Sequence, residues 1–241
     1  MKYALLSVIA LGAAAVAAVP PARGQQTAAP AVLAELFTSQ SCSSCPPAQE
    51  FFAELAEEPG VVTLEWHVDY WDDLVYGRYG QWKDPYSDPA FTARQRQYNQ
   101  VLRGTRSVYT PQAIVGGVTE TTGSRRQTIR QLIEDAGSPQ ASLTFGTRDG
   151  IATLTVATEE AAEIWLAFFE PEAETHVQRG ENHGRALKSR NIVRQQRSLG
   201  RLSTGTATYG LPEGQEGWSC AVIVQAPGSG RVLAAAYCPA V

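Results

Sequence analysis

The chain has 241 residues, 44% hydrophobic and 18% charged, with 20 Lys and Arg against 24 Asp and Glu for a formal charge of −4. This is enough chain to bury a sizeable core. With no basic stripe, the acidic balance argues against nucleic acid or anionic lipid as the main partner.

Lys2, the nearly all-apolar run from Ala4 to Val19 and the small residues up to Gly24 read as an export signal over residues 1–24. The run is shorter than the roughly 20 residues a spanning helix needs and stops at Pro20-Pro21, so removal is expected and a membrane anchor is not. Loss of Lys2 and Arg23 leaves 18 basic and 24 acidic side chains, a balance of about −6. No later segment is long and apolar enough to span a bilayer. Export, periplasmic or secreted, implies an oxidising compartment in which disulfides persist. Residues 25–30 read as a flexible lead-in.

Val32 to Thr38 is an apolar run of strand length that breaks at Ser39-Gln40-Ser41. Cys42-Ser43-Ser44-Cys45 follows. Ala48, Phe51, Phe52, Leu55 and Ala56 then share one helix face before Pro59-Gly60 stops it, and Pro46-Pro47 is tolerated where helix N–H groups lack internal acceptors. Val62, Leu64, Trp66 and Val68 alternate with Thr63, Glu65, His67 and Asp69, the period of a strand with two unlike faces. An aromatic passage with Trp71, Tyr76, Tyr79, Trp82 and Tyr86 leads to a helix over about Ala90 to Leu102, with Asp88 as cap and Pro89 at its first position. Gln112 to Val118 is strand-like, Gly116-Gly117 suits a hairpin, and Ser124 can cap a helix carrying Ile129, Leu132 and Ile133.

After Gly137-Ser138-Pro139 the pattern becomes short strands separated by turn residues, which suggests a β-sandwich. Cys220 and Cys238 flank a segment whose Ala226 to Gly230 centre should turn. A simple hairpin sets Cys220 opposite a residue near 236, and one slip or bulge brings Cys238 within bridging range, so a structural disulfide is expected.

A Cys-x-x-Cys where a strand ends and a helix starts predicts a redox-active dithiol. A thiolate there gains from unpaired backbone N–H groups and the positive end of the helix dipole. Cys42 would carry the mixed disulfide, Cys45 would resolve it, and the hydroxyls of Ser43 and Ser44 could donate to the Cys42 thiolate. Electron flow in either direction would use the same residues.

This order of elements resembles the thioredoxin fold. The resemblance implies that Pro111 is cis and packs against the dithiol, and that Thr110 offers its backbone to an extended substrate. A narrower similarity is carried by Glu35 to Ala48 (Glu-Leu-Phe-Thr-Ser-Gln-Ser-Cys-Ser-Ser-Cys-Pro-Pro-Ala), His67 to Trp71, Trp82 to Pro85, Phe91 to Arg96, Ser107 to Gln112, Gly180 to Gly184 and Asn191 to Arg194. These segments resemble the exported thioredoxin-like family catalogued as domain of unknown function 1223, which implies export and fold but no substrate.

The expectation is therefore an α/β thioredoxin-like domain over 31–138 followed by an all-β sandwich-like domain over 140–241. The expected activity is thiol–disulfide oxidoreductase, acting on protein thiols or disulfides with a redox-recycling partner and no cofactor. Competing readings are a binding module with an idle Cys42–Cys45 bridge, and a copper or zinc protein using the thiols with His67 or His183. A relay through His67 and Asp69 competes with a purely structural polar face, and the aromatic passage serves a peptide groove or simple cover. Glu181, Asn182 and His183 are a turn or a contact with the first domain or a partner. No Ser-His-Asp set, phosphate loop or zinc-protease motif appears.

Overall fold

The computed structural model describes residues 25–29, 31–75, 79–228 and 230–239. The export signal expected over 1–24, together with Tyr76, lies outside these.

Strand β1 (Gln26–Thr27) is followed by β2 (Val32–Thr38), α1 (Pro46–Leu55), β3 (Val61–His67), α2 (Pro89–Arg103), β4 (Gln112–Val115), β5 (Thr119–Thr122) and α3 (Arg126–Glu134). Then come β6 (Ala141–Arg148), β7 (Ile151–Thr158), β8 (Ala162–His176), β9 (Ala186–Leu202), β10 (Gly205–Gly210), β11 (Ser219–Gln225) and β12 (Val232–Tyr237). The strands form a four-stranded sheet, β1-β6-β7-β10, and an eight-stranded sheet, β12-β11-β8-β9-β3-β2-β4-β5. Gln26 and Thr27, in the segment read as a lead-in, pair with Phe145 and Thr144.

The expected fold class, α/β thioredoxin-like followed by an all-β sandwich, is corrected by this topology. The described residues are mostly β, in sheets of four and eight strands with three short helices. The cause is a non-local pairing: β9 lies parallel to β3 at Glu65–Ile192, so β8, β9, β11 and β12 continue the sheet begun by β2 to β5. The large sheet also curls. The Val232 N–H at its β12 edge donates to Gly116 O, and Tyr237 Oη accepts from the Thr63 N–H at 2.8 Å.

Alternation along the strands sorts side chains into three cores. Leu33 and Phe37 of β2, Leu64 and Trp66 of β3, Ile114 of β4, Phe169 of β8 and Ile223 of β11 point into the curl. Phe91 and Tyr98 of α2 fill it. Helix α2 starts at the expected cap, where Asp88 Oδ1 accepts from Ala90 N–H at 2.7 Å, and ends at Gly104 with φ of +66°, a conformation cheap only for glycine. The alternate residues Ala34, Leu36, Ala113 and Val115 face Phe51, Phe52 and Leu55 of α1 and Ile129 of α3. On the far half of the sheet, Ile164, Leu166, Phe168, Val222, Val224 and Leu233 pack against Leu143, Phe145, Leu154 and Val156 of the small sheet.

A charged cluster is also enclosed in the curl. Arg94 Nε donates to Glu35 Oε1 at 2.7 Å, and Tyr98 Oη donates to Glu35 Oε2 at 2.5 Å and accepts from Gln225 Nε2 at 2.8 Å. Glu35, Arg94, Tyr98 and Gln225 are buried, and the mutual bonds satisfy charges that burial would otherwise penalise.

Candidate functional site

Cys42 and Cys45 are joined by a disulfide where β2 hands over to α1, with a Cα–Cα distance of 5.4 Å. Cys45 is the N-cap of α1, and Pro46 and Pro47 occupy its first turn, where no N–H is required. Ser44 Oγ lies 3.4 Å from Cys42 Sγ. Ser43 uses its backbone: its N–H donates to the Glu181 carboxylate at 2.8 Å. Both cysteines have 0% exposure, while Ser43 and Ser44 are exposed.

The stretch Ser39-Gln40-Ser41 ahead of the bridge is polar yet completely buried, and neighbours meet most of its polar groups, the Gln40 Nε2 excepted. Gln40 N–H donates to Asp84 Oδ2 at 2.7 Å, Ser41 Oγ donates to Trp82 O at 3.0 Å, and Trp82 Nε1 donates to Gln40 Oε1 at 3.2 Å. The tip of the β8–β9 hairpin closes the site from above. Asn182 Nδ2 donates to Gln40 O at 2.8 Å and to Cys42 O at 3.0 Å, Arg185 Nη1 orients the amide through Asn182 Oδ1 at 2.9 Å, and His183 stacks on Tyr79 with centroids 4.6 Å apart. At Gly180 (φ +75°) a Cβ would lie 3.1 Å from Trp82 Cβ, so close approach and backbone conformation both call for glycine.

Beneath α1 the polar face of β3 is fully buried. His67 Nδ1 is 2.7 Å from Asp84 Oδ2, whereas its Nε2 is 3.6 Å from Glu65 Oε2, too long for a hydrogen bond. Gln49, one turn beyond Cys45, donates through Nε2 to Ser189 Oγ at 2.9 Å and to Glu65 Oε2 at 3.4 Å. Burial alone would lower the His67 pKa, but the adjoining Asp84 carboxylate outweighs it and lifts the imidazole to about 9. Burial also works against the Asp84 charge, and the His67 cation reverses that to leave its pKa below the ordinary value. For Glu65 desolvation wins, and its carboxyl is pushed up toward the protonated form. Glu65 Oε1 and His67 Nε2 are buried without a hydrogen-bond partner.

Thr110-Pro111 is a cis peptide bond at the start of β4, next to β2. Gly123 separates Pro111 from α1: a Cβ there would lie 3.1 Å from both Pro111 Cβ and Ala48 Cβ. Thr110 Oγ1 accepts from Trp71 Nε1 at 2.8 Å. Cys220 and Cys238 form the second disulfide, with Cα atoms 5.3 Å apart. A bulge at Val224/Gln225 supplies the slip that sets Ala221 opposite Tyr237 and hence Cys220 opposite Cys238.

Other residues singled out in the sequence go elsewhere. Asp69 accepts from Thr92 Oγ1 at 2.5 Å and is not the partner of His67. That partner, Asp84, comes from the aromatic passage, and only the buried strand face opposite it could have signalled the need for one. Tyr86 meets the His67 ring edge-on and Trp82 caps Gln40, so these aromatics cover the turn before Cys42. Among the described residues, no group of three or more His, Cys, Asp and Glu side chains is arranged to hold a metal ion. No helix among them is long and apolar enough to cross a membrane. A cleft of about 400 Å³ lined by Ala28, Glu57, Gly60, Phe145 and Tyr237 lies at the opposite end of β3 from the cysteines.

The model of a family described as protein of unknown function, DUF1223, matches residues 33–225. A crystal structure of protein AGR_C_4864 from Agrobacterium tumefaciens is similar, with a TM-score of 0.72 at 28% identity over 86% of this chain and 92% of that one. No curated protein matches.

Proposed function

We propose that this chain, which belongs to the DUF1223 family, is an exported protein that performs thiol–disulfide exchange through Cys42 and Cys45 on the thiols or disulfides of other proteins. The observation that carries the reading is the placement of a short disulfide at the first turn of α1. There the departing Cys45 sulfur sits at the positive end of the α1 dipole, and a serine hydroxyl stands 3.4 Å from the other sulfur. The kinship with thioredoxins that the sequence implies would reside in this local unit of strand, dithiol, helix and cis-proline, not in the sheet architecture.

In the oxidising direction a substrate thiolate attacks Cys42 Sγ. The Cys42–Cys45 bond breaks, and Cys45 leaves as a thiolate that takes up a proton. A second substrate thiolate then attacks the sulfur of the first in the mixed disulfide and releases the Cys42 thiolate. Two electrons pass from the substrate dithiol to the protein, and a recycling partner must remove them. Running the steps backwards reduces a substrate disulfide.

Complete burial of both cysteines favours a second reading, in which the bridge is static and the fold is a binding module. A redox titration separates the two. Exchange requires a midpoint between roughly −120 and −270 mV, whereas a structural bond lies below about −300 mV. In cells, Cys45→Ser should accumulate mixed disulfides on Cys42. A midpoint in the structural range with no trapped partner would end the exchange reading.

A further inference from the structure

We infer that the β8–β9 hairpin tip, Gly180 to Gly184, is an autoinhibitory strap that must lift before Cys42 and Cys45 can meet a protein partner. The inference rests on the exchange reading and concerns its regulation.

A reacting sulfur has to be approached along the S–S axis, and neither sulfur is reachable as the chain stands, since both cysteines are fully buried. The hairpin tip is held against the main chain beside them by polar, reversible contacts. Asn182 spends both amide hydrogens on the carbonyls of Gln40 and Cys42, and Glu181 takes the N–H of Ser43. Those two acceptors and one donor are main-chain groups beside the bridge, of the kind an arriving polypeptide would bond. The strap therefore fills the docking edge as well as shielding the sulfur. Glu181 also occupies the Ser43 N–H, a main-chain donor next to Cys42, at 2.8 Å.

The strap is built to move as a unit. Left-handed glycines bound it, with φ of +75° at Gly180 and +80° at Gly184. Below it, Val177 and Arg185 pair through Val177 N to Arg185 O at 2.9 Å, and Gly184 N–H closes the turn on Val177 O at 2.8 Å, so β8 and β9 stay zipped whether or not the tip is seated. Against the body of the protein the tip makes the Asn182 and Glu181 bonds, the His183–Tyr79 stack and a 3.3 Å bond from Gly180 N to Tyr79 O. No buried apolar side chain on the tip anchors it: Glu181 and His183 are exposed, and the single buried side chain there is the Asn182 amide.

The test uses the second disulfide as an internal control. The full-length oxidised protein is treated with a small phosphine reductant, quenched by alkylation at intervals, and each bridge is followed by peptide mass spectrometry. Asn182→Ala deletes two hydrogen bonds and should raise the open population, and with it the rate of Cys42–Cys45 reduction, about tenfold. Cys220–Cys238 should be reduced at its original rate. Glu181→Gln, an exposed change that leaves the fold intact, should accelerate the same bridge by about two- to threefold and is read alone if Asn182→Ala fails to fold. Unchanged rates for Cys42–Cys45, or equal acceleration of both bridges, would overturn the strap. Accelerated reduction of Cys42–Cys45 alone supports it, whatever the midpoint titration says. A structural midpoint together with that acceleration removes the exchange reading and leaves a movable cover. An exchange-range midpoint with unchanged rates removes the strap and leaves the exchange.

Discussion

Cys42–Cys45 joins residues three apart at a helix start, roofed by a hairpin from the other half of the chain. Cys220–Cys238 joins residues 18 apart on neighbouring antiparallel strands and leaves both cysteines partly exposed. Accessibility alone would rank the second bridge as the reactive one. The proposed exchange reading reverses that ranking on the surroundings of each bridge. The long-loop bridge closes the end of the antiparallel β11–β12 pair, where the Cys238 N–H donates to Cys220 O at 2.7 Å. The short bridge lies at a helix N-terminus, beside a hairpin tip held by a few polar contacts. Exposure in a resting structure thus says less about a disulfide's chemistry than what borders it and what can be lifted away.

The sharpest way to break this contrast is to attack the support under the short bridge. Asp84→Ala strips the carboxylate from a buried histidine and from the Gln40 N–H, and should cost about 3–5 kcal/mol in urea unfolding. A loss under 1 kcal/mol would mean that the buried pair does not hold the turn before Cys42. Next come the bridges themselves. Chain-entropy arithmetic gives about 3 kcal/mol for the Cys220→Ala/Cys238→Ala pair and about 1.5 kcal/mol for Cys42→Ala/Cys45→Ala, and reversal of that order would mean the short bridge is the structural staple. The smallest effect is set by pH. The His67 pKa is raised from 6.5 to about 9, so its contribution is complete below pH 6.5 and disappears as pH rises through about 9. Thermal melts between pH 7 and 10 should show roughly 1–3 kcal/mol of lost stability that His67→Gln no longer shows. Asp84, with its lowered pKa, works at the other limit: its contribution is present above its unfolded pKa and is lost on acidification through the folded value.

Residues 32–67 were readable because their information is local. The alternation in β3, the apolar stripe of α1 and the Pro46-Pro47 start are all patterns within one element. Strands β7 and β11 match the expected segments for the same reason. What sequence could not give was which strands become neighbours. A strand as short of parallel partners as β9 carries no mark saying it will lie on β3, and that single pairing extends one sheet across strands from both halves of the chain. The polar row Thr63, Glu65 and His67 has the period of a half-exposed strand, yet α1 and the Asp84 loop bury it, since a polar face can go inside wherever partners arrive from elsewhere. Asn182, six strands further along the chain than the cysteines it bonds beside, is invisible by any local pattern.

The pairing of β3 with β9 also imposes an order of events on a chain that emerges from its amino end. Cys42 and Cys45 come into being long before Asn182, so the bridge can be oxidised, reduced or swapped with a neighbour while nothing yet exists to hide it. The hairpin tip that seats beside it is delivered only with the last third of the polypeptide, so the short bridge waits unshielded until then.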